Sequence, residues 1–253
     1  MKEIRILAAG YGKFASYTDA SNPANKVAKT FAGAQLSASP KEQHPAVHGY
    51  HVLVPVVWDR AWATIQKAVQ EIEPHALICM GVSDGTTRFE RIARNEARID
   101  LQDAEGKYFQ QPFLLSSCKK VSIAQTMSSS NQWPHQQNAP FRPLAQYEDG
   151  TPAPYLLPST LPCEYLEEQM NTSCSNILRI DGPTSFDAGG YLCNLAFYLS
   201  SLFLHGQVAF SGFLHIAPDK EDKVYMETGP FIFTTYGRWL QRNFLPGGEG
   251  IAL

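Results

Sequence analysis

Residues 52–80 read VLVPVVWDRAWATIQKAVQEIEPHALICM, and this stretch decides the fold. Val52 to Val57 is a short apolar run rich in β-branched residues, the composition of a strand. From about Asp59 to Ile72, Ala61, Ile65, Ala68 and Ile72 recur at helical spacing, and the helix stops before Pro74. Ala76 to Met80 is a second short apolar run. Two strands joined through a helix in this way lie parallel in one sheet.

The same alternation extends outward in both directions. Further strands are expected at Ile4 to Ala9, Ile177 to Ile180 and Val208 to Ile216. Asn22-Pro23 supplies an N-cap and a first helical residue for a helix to about Phe31, because proline at that position gives up only an N–H that would have no partner. Helices are also expected after Ser159-Thr160-Leu161-Pro162, from about Gly189 to Leu204, and from about Phe231 to Phe244, ended by Pro246-Gly247-Gly248. The fold class is therefore α/β: a single domain over residues 1–253, a three-layer sandwich whose mostly parallel, twisted sheet carries helices on both faces. Residues of about 107–158 break the pattern with serine runs, prolines and glutamines, and form a long loop-rich insertion in that domain.

Composition narrows the class of function. The chain of 253 residues is 44% hydrophobic and 18% charged, with a formal net charge of −3. That balance suits a soluble globular protein and gives no long-range attraction to nucleic acid. The start, MKEIRILAAGYGKF, has too short an apolar stretch for a signal segment or a bilayer span, so it reads as a first strand in a cytoplasmic protein without a membrane partner. The five cysteines, Cys79, Cys118, Cys163, Cys174 and Cys193, are odd in number and lack metal-ligand spacing. They signal neither a disulfide framework nor a metal site, and nothing calls for a cofactor. Asn171-Thr172-Ser173 matches a glycosylation sequon, which reads as a chance match in a chain without an export signal.

The chemistry centres on GGYLCNLAFY, residues 189–198, which sets Cys193 behind two glycines at the front of an apolar helix. A free cysteine there is either core filling or a nucleophile whose thiolate the helix start stabilises. A nucleophilic thiol needs a base, normally an imidazole. Of seven histidines, His44, His48, His51, His75 and His135 fall in or near loops and His205 follows the Cys193 helix. His215 closes the apolar run VAFSGFLHI before Ala217-Pro218, at the carboxyl end of a strand, where ligands of open α/β sheets collect. One helix and one turn separate it from Cys193, so both can face one edge of the sheet. An acid that orients the imidazole would complete the set. Glu90 is one candidate; Asp84, Asp181 and Asp187 are others, and Glu90 could instead pair on the surface with Arg91 or Arg94.

Four blocks in order resemble the pyroglutamyl peptidase I family of cysteine peptidases. They are GYGKF with Asn22-Pro23, the stretch LVPVVWDRAWATIQKAVQEIEPHALICMGV, the run FERIARNEARIDLQDAEGK, and AGGYLCNLAFY with SGFLHIAP. The resemblance implies an enzyme, a thiol peptidase that removes an N-terminal pyroglutamyl residue from peptides without a cofactor or metal. Cys193 would be its nucleophile, His215 the base and Glu90 the orienting acid. It further implies that Tyr11 and Phe14 hold the lactam ring, that Val82 contacts it through its backbone, that Tyr191, Leu192 and Ile99 line the ring pocket, and that Arg98 serves the oxyanion. Lys13 and Ala15-Ser16 depart from the family's proline and double glycine in the first loop. The interval from Asn95 to Arg98 is two residues short, which makes Arg94 a rival to Arg98. Alternatives are a non-catalytic or divergent relative that binds or hydrolyses another small cyclic amide, and a nucleoside-phosphorylase-like enzyme suggested by general architecture. Peptides are the expected partners, and association into a homo-oligomer is compatible with the sequence.

Overall fold

A computed structural model describes residues 3–39, 41, 44–115, 141–151, 153–204 and 208–244. In chain order its strands are β1 (Ile4–Tyr11), β2 (Gln35–Leu36), β3 (Val47–Val54), β4 (Ala76–Val82), β5 (Arg88–Glu90), β6 (Ile92–Arg94), β7 (Ala97–Arg98), β8 (Phe113–Leu115), β9 (Phe141–Arg142), β10 (Ala145–Tyr147), β11 (Leu156–Pro158) and β12 (Phe210–Ile216). The helices are α1 (Pro23–Lys29), α2 (Ala61–Ile72), α3 (Cys163–Thr172), α4 (Leu192–Phe203) and α5 (Asp222–Asn243). Six strands form the central sheet in the order β2-β3-β1-β4-β12-β5. The inner pairs β1 with β3, β1 with β4 and β4 with β12 are parallel, while β2 and β5 run antiparallel at the two edges.

Side chains alternate across a strand, and here both sets are apolar, as a sheet covered on both faces requires. Leu7, Ala9 and Tyr11 of β1, Leu77 and Cys79 of β4, and Phe213 of β12 pack with α2 and α4. Ile4, Ile6, Ala8, Ile78, Met80, Leu214 and Ile216 face the other way, against α1, α3 and α5. These are the three layers expected. The same alternation puts Gly81 and His215 on the α4 face.

Local chemistry explains the helix starts. Asn22 caps α1, its side chain accepting the N–H groups of Ala24 at 2.9 Å and Asn25 at 3.4 Å. Helix α5 begins nine residues before the expected Phe231, running through Gly229-Pro230. That dipeptide looks like a break, yet Gly229 lies against Thr30 and Val27, where a Cβ would collide. A close crossing with α1 is what the glycine permits.

Three expectations need correction. Ile177 to Ile180 is not a strand. The Leu178 N–H donates to Thr228 Oγ1 at 2.9 Å and the Ile180 N–H to Asn171 Oδ1 at 2.9 Å, so side chains satisfy this backbone in place of a ladder. Strand β3 starts five residues before the expected Val52, so His48 and His51 are strand residues and not loop residues. The described ends of the 107–158 insertion are also more ordered than its composition suggests. Its β11 and β9 pair with β6 and β7, which precede the insertion, and its β10 pairs with its own β8. Buried Asn95 pins it further, donating to the carbonyls of Ala145 at 2.9 Å and Ala153 at 3.0 Å. Cys118, His135 and His205 lie outside the described residues.

Candidate active site

Strand β12 ends at the carboxyl edge of the sheet, and His215 is its penultimate residue. Antiparallel β5 lies alongside, with Glu90 opposite Phe213 and Arg88 opposite His215. Directly opposed residues share a face. The register therefore delivers Arg88, Glu90 and His215 together to the α4 side.

His215 and Glu90 are both buried, and His215 Nδ1 meets Glu90 Oε1 at 2.6 Å. Cys193, in the first turn of α4, joins the group, its thiol near enough to His215 to act on the imidazole pKa. Burial alone would push the imidazole pKa down. Hydrogen bonds and charge from Cys193 and Glu90 outweigh that and raise it to about 9. A thiol, an imidazole and a carboxylate are thus gathered at one edge of the sheet, each from a different element.

The helix start is built to carry the thiol. No side chain caps α4, and the N–H groups of a first turn lack intrahelical acceptors. They are the natural donors to an anion at Cys193 or to an oxyanion beside it. Gly81 keeps the thiol against the sheet: a Cβ there would sit 2.7 Å from Cys193 Sγ and 2.9 Å from Phe213 Cζ. Asn194, fully buried, fixes the helix from the other side. Its Oδ1 accepts the Arg94 N–H at 2.9 Å, and its Nδ2 donates to the carbonyls of Arg94 at 2.8 Å and Glu96 at 2.9 Å. Asn194→Ala should therefore lower unfolding free energy by about 2–3 kcal/mol, since it strands buried backbone groups. Urea denaturation checks this.

Several residues tied to the ring pocket sit differently from expectation. Tyr11 is buried, and its hydroxyl donates to the Leu192 carbonyl at the head of α4. It braces the helix start from below instead of presenting an open ring face. The Leu192 side chain is also in the core, at 1% exposure. Phe14 and Tyr191 remain as partly open rings, 5.6 Å apart, with Tyr191 backed edge-on by Trp58 at 5.1 Å. Ile99 packs at the margin of the same cluster. The Val82 side chain packs toward the opposite face of the sheet, so only its backbone can serve a ligand here.

Both arginines flank the turn before α4. The Arg98 N–H donates to the Gly190 carbonyl at 2.7 Å, while its guanidinium is held by Asp100 at 2.5 and 2.9 Å. Arg94 pairs with Asp187 at 2.9 Å. Neither guanidinium is without a carboxylate. The surface alternative for Glu90 is excluded: Arg91 pairs with Glu164 and Glu167, and the arginine on Glu90 is Arg88. Of the rival acids, Asp84 pairs with Arg88, Asp181 accepts the Thr87 N–H and Asp187 holds Arg94. The role of Asn194, and that of Arg88 beside Glu90, were missed. The Asn in Cys-Asn was the available signal for the first; the second depends on strand register.

A thiol at a helix start, gathered with an imidazole and a buried carboxylate at the carboxyl edge of an α/β sheet, can support nucleophilic thiol chemistry. Residues 4–117 match the family model described as pyroglutamyl peptidase. The chain is 26% identical over 220 residues to the pyrrolidone-carboxylate peptidase of Pyrococcus furiosus, covering 84% of this chain and 80% of that one. In structure it resembles the pyroglutamyl peptidase I of Bacillus amyloliquefaciens, with a TM-score of 0.65 and 20% identity over 93% of this chain and 96% of that one. The pyrrolidone carboxyl peptidase of Thermococcus litoralis superposes with a TM-score of 0.64 and 19% identity, over 94% of this chain and 96% of the other. The chain is thus similar in sequence to the pyroglutamyl peptidases and shares their fold. Among the described residues no helix is long and apolar enough to cross a membrane.

Proposed function

We propose that the protein is a thiol peptidase that removes an N-terminal pyroglutamyl residue, with Cys193 as nucleophile, His215 as the proton-transferring group and Glu90 as the carboxylate that orients it. The observation that carries the reading is the His215 Nδ1 to Glu90 Oε1 contact of 2.6 Å, with Cys193 acting on the same imidazole. Glu90 fixes Nδ1 as the donor nitrogen, which leaves Nε2 to the thiol. The Cys193 thiolate attacks the pyroglutamyl carbonyl, and the N–H groups at the head of α4 receive the oxyanion. The His215 imidazolium then gives its proton to the departing amine. Water, deprotonated by the same imidazole, frees pyroglutamate from the acyl-enzyme.

Specificity follows from the surroundings. The Phe14 and Tyr191 rings offer apolar faces for a lactam, whereas a free ammonium in their place would be a costly unpaired charge. The test is release of a chromogenic amine from a pyroglutamyl amide under reducing conditions, beside the corresponding prolyl amide. Release from the first and none from the second is expected. No release from either, with some other lactam or cyclic amide cleaved, would favour a divergent relative; the buried positions of Tyr11 and Leu192 motivate including such amides.

The pH profile should carry the signature of the imidazole. His215 is held protonated up to about pH 9, so kcat/KM should fall as pH rises through that value, when the proton needed by the leaving amine is lost. A profile flat to pH 11 would contradict this role.

A further inference from the structure

Glu90 is engaged from two sides at one atom. His215 Nδ1 approaches Oε1 at 2.6 Å, and Arg88 Nε donates to the same Oε1 at 2.9 Å. The other oxygen, Oε2, is buried with no hydrogen-bond partner among the described residues. Arg88 is also the residue directly opposite His215 across the β5–β12 ladder. Two cationic side chains set opposite each other repel, and here the shared carboxylate oxygen holds them together.

Arg88 is itself oriented. Its Nη1 donates to Asp84 Oδ1 at 3.0 Å and to Thr86 Oγ1 at 2.7 Å, in the turn that leads into β5. The Arg88 side chain is 18% exposed against 0% for Glu90 and 83% for Asp84, so the chain of contacts runs from the surface into the site. The charged and titratable groups gathered around the imidazole are Cys193 from α4, Glu90 and Arg88 from β5, and Asp84 from the turn. From the segment beside β5, Asp181 faces Thr87 and not His215.

We propose that Arg88 is a positioning residue of this site: it aims Glu90 by holding the oxygen that receives His215, and its cation limits how tightly the carboxylate grips the imidazolium. This rests on the Cys193, His215 and Glu90 reading above. Without Arg88 the carboxylate would act on the imidazolium undiluted. The ring would then surrender its proton to the leaving amine less readily, because a more strongly held proton is a weaker acid. Nothing in this arrangement places Arg88 against the substrate, so its loss should appear in kcat and not in KM.

The experiment is a titration of His215 by NMR of the ring nitrogens in wild type, Arg88→Met, Arg88→Gln and Arg88→Lys, with steady-state kinetics on a pyroglutamyl amide. The His215 signals are identified by their loss in His215→Ala. Arg88→Met should raise the His215 midpoint by about one pH unit and lower kcat about ten-fold with KM little changed. Arg88→Lys should restore both, and Arg88→Gln, which keeps a donor but no charge, should retain the raised midpoint. If Arg88→Met does not fold, Arg88→Gln carries the test. An unmoved midpoint in the uncharged variants would overturn the proposal, as would a loss of kcat that Lys does not rescue. The titration needs no substrate. Should the wild type cleave no pyroglutamyl amide, the function fails while the shift still decides Arg88.

Discussion

Cys193→Ala should reduce cleavage of a pyroglutamyl amide by about five to six orders of magnitude, to the level of assay background. The step removed is the one proposed to form the acyl-enzyme, and among the described residues no other cysteine is placed to replace it. Among the described cysteines, Cys79 lies nearest in kind, but it is buried behind the site with burial pushing its pKa up to about 12. Cys163 is also buried, and Cys174 is exposed on the surface. A thiol that stays protonated at neutral pH is a poor nucleophile, so neither buried neighbour can take over. The fold should survive, since Ala fills the half-buried position between Gly81 and Phe213 without strain. Comparing kcat/KM and thermal midpoint of the variant with wild type separates a lost nucleophile from a lost structure. Retention of even a tenth of the wild-type rate would remove Cys193 from the mechanism.

His215→Ala should cost about three to four orders of magnitude in kcat, with Cys193 still present. Two functions go at once: the thiol loses the base that takes its proton, and the leaving amine loses its acid. The same variant has a stability signature whose sign can be worked out. Burial lowers the His215 pKa, but Cys193 and Glu90 together raise it from the ordinary 6.5 to about 9, so the native state binds the proton more tightly than the unfolded chain. The stabilisation from that proton is present in full below pH 6.5 and disappears as pH rises through about 9. Wild type should therefore lose thermal stability between those limits more steeply than His215→Ala. Parallel curves for the two proteins would mean that the imidazole is not held by Glu90 and Cys193 in solution.

Much of this site was legible in the sequence because its two chief residues lie on strongly patterned elements. Cys193 opens a helix of continuous apolar character, and His215 closes an apolar run, so their places at one sheet edge followed from connectivity. Glu90 was different. It sits on β5, a strand of three residues at the sheet margin, too short for periodicity to reveal. Only pairing with β12 puts it beside His215, and that pairing is a tertiary event. The sequence alone left four carboxylates in contention there, and motif resemblance chose among them.

The placements that differ from expectation have the same origin. Tyr11 looks like a loop aromatic beside a glycine, but strand β1 extends through it, so alternation turns it into the α4 layer. Leu192 adjoins the nucleophile in sequence, yet a helix sends neighbours about 100° apart, and its side chain faces the core. Ile177 to Ile180 has the composition of a strand, while Thr228 and Asn171 offer its backbone acceptors that no pattern could announce. Arg88 was not singled out at all, because only strand register sets it opposite His215.

The most direct measurement is acid quenching of the enzyme during turnover of a pyroglutamyl ester, followed by peptide mapping by mass spectrometry. A pyroglutamyl thioester on the peptide that contains Cys193, accumulating in wild type and absent in Cys193→Ala, is the expected result. A pyroglutamyl group found on another residue, or undiminished turnover in Cys193→Ala with no adduct in either protein, would contradict the mechanism.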